Sequence, residues 1–155
     1  MELLQGFQVV LLPNAAQVRK MRRFAGARRY IYNRLLKIQV ERYENGEKHL
    51  SYFDSTQLIT QWRKDAEKPW LKEIPAQVLQ QGAKDLSQAY DNYFAKNADH
   101  PTKNRKGIHE TFRYPQHFKV DQKNTRVFLP KIGWVRYRAS REIVGKPQNV
   151  TISFF

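Results

Sequence analysis

The sequence predicts an α+β fold in which a bundle of helices is inserted after the first strand of a small β-barrel. Two observations carry the prediction. Apolar residues alternate near the N-terminus, recur at helical spacing through the middle, and return to a period of two beyond about residue 110. Turn residues divide the last part into short runs. The charge falls into blocks of its own, which bear on function. Residues 1–40 hold eight Lys/Arg against one acid, residues 41–100 hold eight against ten, and residues 101–155 hold twelve against three. One strand, then helices, then strands places the first strand with the last ones. The expected divisions are 1–12, 13–100 and 101–155.

Taken in order, residues 4–12 read as a strand, with Phe7, Val9 and Leu11 alternating and Val10 and Leu12 also apolar. Pro13 stops it, and Asn14 is a good N-cap. Val18, Met21 and Ala25 share a helical face, Gly26 is an expected break, and a second helix runs from Ala27 to Tyr43. Its stripe is Ile31, Leu35, Ile38 and Arg42, widened by Leu36 and Val40, and Glu44-Asn45-Gly46 ends it. A third helix covers Asp54 to Lys64 with Leu58, Ile59 and Trp62 inward, followed by an apolar hook at Pro69-Trp70-Leu71. Pro75 opens a fourth helix, Ala76 to Lys96, whose inner face is Val78, Leu79, Ala83, Leu86, Ala89, Tyr90, Tyr93 and Phe94. Residues 97–109 read as a linker. Strands are expected at Thr111–Tyr114, Phe118–Val120, Arg126–Leu129, Trp134–Arg138 and Asn149–Phe155, rolled into a small barrel.

Composition narrows the function classes. A chain of 155 residues can bury roughly 68–70% of its unfolded surface, enough for a real core. No cysteine occurs, which excludes disulfides and thiolate metal sites. No apolar run approaches the ~20 residues of a membrane helix, and the N-terminus lacks a secretory pattern, so a cytoplasmic location is expected. A net charge of +14 points to a polyanionic partner, nucleic acid first.

Catalytic constellations are not apparent. His49, His100, His109 and His117 fall in loops or strand edges without an i, i+4 partner. Asp85 and Asp91 read as surface charges of the fourth helix, and Glu110, Asp121 and Glu142 as ion-pair partners. Neither a glycine-rich phosphate loop nor a recognisable Ser/His/Asp order is present. Arginines interleaved with aromatics are present instead, at Arg28-Arg29-Tyr30-Ile31-Tyr32-Asn33-Arg34, Phe112-Arg113-Tyr114 and Trp134-Val135-Arg136-Tyr137-Arg138. Arginine pairs with phosphate bidentately, and aromatic faces stack on bases. On an alternating strand Trp134, Arg136 and Arg138 share one face. Phe112, Trp134 and Phe128 are read as core ahead of base-stacking, and Arg136 and Arg138 as phosphate contacts ahead of structural pairing.

These residues carry a resemblance. Leu12-Pro13-Asn14 with Phe24-Ala25-Gly26-Ala27-Arg28-Arg29-Tyr30-Ile31-Tyr32-Asn33 resembles the start of the TnpB family, the OrfB-type proteins of bacterial insertion sequences. It continues through Trp70-Leu71-Lys72-Glu73-Ile74-Pro75, Gln77-Val78-Leu79-Gln80-Gln81, Asn92-Tyr93-Phe94, Phe112-Arg113-Tyr114-Pro115-Gln116, Leu129-Pro130-Lys131-Ile132-Gly133-Trp134-Val135 and Asn149-Val150-Thr151. The resemblance implies an RNA-guided DNA endonuclease that binds a guide RNA and target DNA. It implies an OB-like barrel called the wedge, interrupted by a helical recognition domain. The family's Mg²⁺-dependent RuvC-like nuclease domain would lie beyond residue 155, so no cofactor is expected for this stretch. Asp99-His100-Pro101-Thr102-Lys103-Asn104-Arg105-Lys106 departs from the family's basic, Phe-containing segment.

Carried over by position, Tyr52, Ser55, Thr56, Gln77, Gln80 and Gln81 are candidates for reading a DNA motif beside the target, since Gln can bond adenine N6/N7. Gln80 and Gln81 read equally as exposed helix residues. Arg28, Arg29, Arg34, Lys131, Arg136, Arg138 and Arg141 are candidates for backbone contacts. The competing readings are a stand-alone DNA-binding regulator of the same descent and a ribosomal-type RNA-binding protein. The apolar end of Asn149–Phe155 leads us to expect self-association through that strand.

Overall fold

The computed structural model describes residues 5–108 and 110–154. Its elements are β1 (Leu11–Leu12), α1 (Ala15–Glu44), α2 (Tyr52–Arg63), a short 3₁₀ helix (Pro69–Glu73), α3 (Ala76–Phe94), β2 (Thr111–Tyr114), β3 (Lys119–Asp121), β4 (Arg126–Leu129), β5 (Gly133–Tyr137) and β6 (Val150–Ser153). The fold is α+β, as the periodicity predicts. β1 does join the C-terminal strands: it pairs with β5 in an antiparallel sheet of order β1-β5-β4-β3. The closed barrel does not form. β2 and β6 make a separate two-stranded sheet, and β2 packs on α1 and α3 instead of completing a ring. Strands of two to five residues give ladders too short to wrap and close.

Two expected helices are one. α1 runs through Gly26 without interruption for 30 residues. A helical glycine costs about 1 kcal/mol relative to alanine. The buried face, including Met21, Phe24, Ala25, Ala27, Ile31, Leu35 and Leu36, outweighs that cost. Its start follows the sequence closely. The Asn14 side chain accepts from the Gln17 amide at 2.8 Å, and the Gln17 side chain accepts from the Asn14 amide at 3.0 Å, a reciprocal capping box. Gln17 also donates to the Trp134 carbonyl at 2.8 Å, tying the first turn of the helix to β5. At the other end, the turn at Asn45-Gly46 has Gly46 at φ 71°, the left-handed conformation that glycine adopts without strain.

The expected strand at residues 4–12 is shorter than its apolar pattern. Only Leu11 and Leu12 pair, with the Arg138 amide donating to the Val10 carbonyl at 2.8 Å to extend the ladder; Leu4 lies outside the described residues. The hook at Pro69-Trp70-Leu71 is the 3₁₀ helix, with Leu71 buried. On α3, Val78, Leu79, Ala83, Leu86 and Tyr90 are buried, whereas Tyr93 and Phe94 are exposed. The last strand ends at Ser153, and its Phe154 packs on the core beneath Arg22, so this part of the expected self-association strand does not project freely. Phe155 lies outside the described residues.

One continuous apolar cluster joins the helices to both sheets through Phe24, Ile31, Val78, Phe112, Leu129 and Val135. Phe112 meets Phe24 edge-on, with ring centroids 5.7 Å apart. Burying such a side chain contributes about 1.5–3 kcal/mol.

Candidate nucleic-acid interface

Arg28 and Arg29 fold inward. Arg28 donates to Asp85 at 2.8 Å and lies 5.4 Å from the Tyr32 ring centroid, while Arg29 pairs with Glu110. Asp85, expected as a plain surface charge, is half-buried and ion-paired. It also receives Arg113 at 3.3 Å, and Arg113 donates in turn to the Gln81 side-chain oxygen. These partly buried pairs lock α1, α3 and β2 together. Two arginines expected on a phosphate backbone are thereby engaged in holding the fold. Arg34 is engaged too: its guanidinium lies 4.0 Å from the Trp62 ring centroid and donates to the Tyr30 hydroxyl.

The base-reading candidates divide. Ser55 is buried, and its hydroxyl donates back to the Ser51 carbonyl at 2.9 Å. Thr56 donates to the Phe53 carbonyl at 2.6 Å, and Tyr52 is exposed on the first turn of α2. Gln77 accepts from the Gln116 amide at 3.1 Å, Gln81 is buried on Arg113, and Gln80 is half-buried. Among the described residues no hydrogen bond joins the α2 set to the α3 set. Beside α3 lies a polar cleft lined by Gln81, Lys84, Asp85, Gln88, Arg113 and Gln148.

The outer face of the four-stranded sheet is the opposite case. Pairing in register sets Leu12, Arg136, Arg126 and Asp121 in one row, and Trp134, Phe128 and Lys119 in the next. Val135, Val127 and Tyr137 point to the core, as strand alternation requires. Phe112 is core as expected, but Trp134 is 39% exposed, and Phe128 beside it is only half-buried. The sequence gives β5 its alternation but does not say which face is covered. Arg136, Arg138 and Arg141 are exposed and have no acidic partner among the described residues. Asp121 holds Arg126 at 2.9 Å. Hydrogen bonds from Asn124, and then from Arg126, hold the Asp121 carboxyl below the usual carboxylate range.

Lys131 links this sheet to the helices. Its ammonium donates to the Lys72 carbonyl at 2.9 Å, and Lys20 on α1 donates to the Lys131 carbonyl at 3.3 Å. Desolvation, followed by the nearby Arg63 charge, lowers the Lys131 pKa. The cations of α1 and of the sheet thus meet at one corner. Sequence reading did not single out Lys20, Arg63 or Arg126 as site residues, and it placed Trp134 and Phe128 in the core ahead of base-stacking. For Arg126 the usable signal was an Arg-aromatic alternation on strands expected to pair.

His49 and His100 pack against aromatic rings, and His117 is exposed. His49 and His100 both meet Tyr90 edge-on, and burial depresses the His49 pKa. His109 lies outside the described residues. Among the described residues no three His, Asp or Glu side chains gather as metal ligands, and no helix is long and apolar enough to cross a membrane.

InsQ of Escherichia coli (strain K12), named as a candidate RNA-guided DNA endonuclease, is 46% identical over 153 residues, which is 99% of this chain. The OrfB family of IS605 elements, described as a helix-turn-helix domain, matches residues 1–48. The chain belongs to the TnpB (OrfB-type) family. A second TnpB-like relative, from Streptomyces pristinaespiralis and also named as a candidate RNA-guided DNA endonuclease, is 29% identical over 111 residues, or 71% of this chain. The TnpB-family chain spans 38% of the length of InsQ and 28% of that of the Streptomyces protein. Within the matched residues 1–48 the described structure is one strand and one unbroken helix rather than two helices around a turn.

Proposed function

We propose that this chain is the nucleic-acid-binding portion of a TnpB-like RNA-guided DNA endonuclease, engaging a guide RNA and the DNA motif beside its target. In this reading residues 13–100 are the recognition domain, and residues 1–12 with 101–155 are the wedge. The chain binds, and strand cleavage is assigned to none of its described residues. Both relatives carry names that describe an RNA-guided DNA endonuclease, which supports the choice of partners.

The observation that carries the reading is the merging of two basic blocks that are far apart in sequence. Lys20 on α1 meets Lys131 at one corner, Arg19 and Arg22 are exposed on the same helix, and Arg136, Arg138 and Arg141 are exposed on and just after β5. Phosphate contacts position a nucleic acid without reading its sequence. The polar cleft beside α3 supplies amide groups suited to base edges, with Gln80 and the exposed Tyr52 as further candidates. Arg28, Arg29 and Ser55 serve the fold in this reading and leave the contact set.

The test is binding of a DNA duplex and of an RNA by fluorescence anisotropy. Reversing two exposed charges that hold no side-chain partner among the described residues, Arg138→Glu with Arg141→Glu, is expected to weaken duplex binding on the order of ten-fold at low salt while leaving the melting temperature nearly unchanged. Unchanged affinity in the double variant would sink the reading.

A further inference from the structure

We propose that the outer face of the β1-β5-β4-β3 sheet is a stacking platform for an unpaired stretch of RNA, with bases lying on Trp134 and Phe128 and phosphates held by Arg136, Arg138 and Lys119. The inference rests on the binding reading above and names a ligand class and residues for one face of it.

The geometry is that of a built surface. The Trp134 and Phe128 rings pack edge-to-face with centroids 5.5 Å apart, on directly paired strands. Arg126 lies 4.2 Å from the Trp134 centroid, and Asp121 fixes that guanidinium from below. Lys119 lies 5.9 Å from the Phe128 ring. Each ring is therefore held by the other ring and by one cation, and ordering them costs a ligand little. Trp134 is 39% exposed, and on the neighbouring edge Leu12, opposite Arg136, and Val10, opposite Arg138, are 46% and 53% exposed.

Charge selects the occupant. Lys119, Arg126, Arg136 and Arg138 share the face with one acid, Asp121, which is already used by Arg126. A second copy of a chain with net charge +14 would bring like charge to like charge. A nucleic-acid strand satisfies both features, since every base has a π-face and every nucleotide an anion. A duplex keeps its bases stacked inside and offers this face only phosphates, so an unpaired strand is the better fit. The relatives' RNA-guided description favours RNA over a DNA strand.

The experiment uses the full 155-residue chain and a labelled RNA of about 12 unpaired nucleotides, within the span that single-strand binding folds cover. The same RNA annealed to its complement and the DNA strand of the same sequence are run beside it. The single-stranded RNA is expected to bind more tightly than either and to quench tryptophan fluorescence. Trp134→Ala should weaken that binding about ten-fold and leave duplex RNA binding unchanged. Trp134→Phe, which keeps an aromatic face, should retain affinity but lose most of the quench. Should Trp134→Ala perturb folding by thermal unfolding, Arg136→Ala and Trp134→Phe carry the test alone.

Equal losses for single strand and duplex would overturn the platform, because the residue would then act through the whole surface. Tighter binding of the DNA strand would overturn the assignment to RNA. Duplex binding without single-strand binding would overturn the platform and leave the binding reading standing. No binding of any nucleic acid would overturn both.

Discussion

Two glycines of the helical region show how little a residue type says until its neighbours are known. Gly26 and Gly82 both sit inside helices, and a helical glycine ordinarily costs about 0.5–1 kcal/mol relative to alanine. A Cβ on Gly26 would meet only the end of the flexible Arg29 side chain at 3.5 Å. A Cβ on Gly82 would stand 3.0 Å from the Arg28 carbonyl oxygen and 3.5 Å from Ile31, where α3 crosses α1. Gly26→Ala is therefore expected to raise stability by about 0.5–1 kcal/mol, or roughly 2–4 °C per kcal/mol in melting temperature. Gly82→Val should lower stability by about 1–3 kcal/mol through overpacking. Thermal unfolding of the two variants checks both signs, and a gain in Gly82→Val would mean that the helices part easily. The same lesson holds for charge. Arg28 and Arg136 are equivalent in a charge count, yet one is inside an ion pair with Asp85 and the other faces solvent.

At the scale of elements, caps were legible and covers were not. Asn14 announces the start of α1 because capping is local chemistry, completed here by Gln17 three residues on. Gln39 is the contrary case, a polar residue in an apolar stripe that spacing alone cannot explain. It is 6% exposed, donates to the Leu50 carbonyl at 2.8 Å and accepts from the Leu50 amide at 3.0 Å. It thereby satisfies both backbone groups of the buried entry into α2. Gln39→Leu would keep the side chain's bulk and leave both groups unpaired, each at a cost of about 1–3 kcal/mol. Denaturant unfolding should show a loss of about 2 kcal/mol or more; a neutral result would show that water reaches Leu50. The strands follow the same rule. Their alternation was readable, and four of the five expected C-terminal strands match the observed ones to within a residue at each end. The barrel was not, because closure depends on which edges meet.

Across the whole molecule, the decisive quantity is the field made by the cations that remain unpaired. Seven ion pairs occur among the described residues, and they take Arg23, Arg28, Arg29, Lys37, Arg42, Arg113 and Arg126. Of the remainder, Lys20 and Lys131 meet at the α1–sheet corner, and Arg136, Arg138 and Arg141 are exposed on and just after β5. If about six to eight of these cations neutralise phosphates, duplex affinity should fall by about three to four decades between roughly 50 and 200 mM salt. A titration of affinity against salt reads that slope directly. A nearly flat dependence would mean that binding, where found, does not run through this surface.

By itself the sequence determined the class of fold, the order of its elements, the start of α1, the alternation of β5 and the excess of positive charge. All of these depend on neighbours within a few residues or on composition. Only the tertiary structure decided that Gly26 does not break α1, that Arg28 and Arg29 are engaged internally, and that Trp134 faces outward. Only it joined Lys20 to Lys131 across 111 positions of sequence. The physical reason is common to all four. Burial, ion pairing and the summed field depend on distances through space, and a period along the chain gives a residue its face without saying what lies against it.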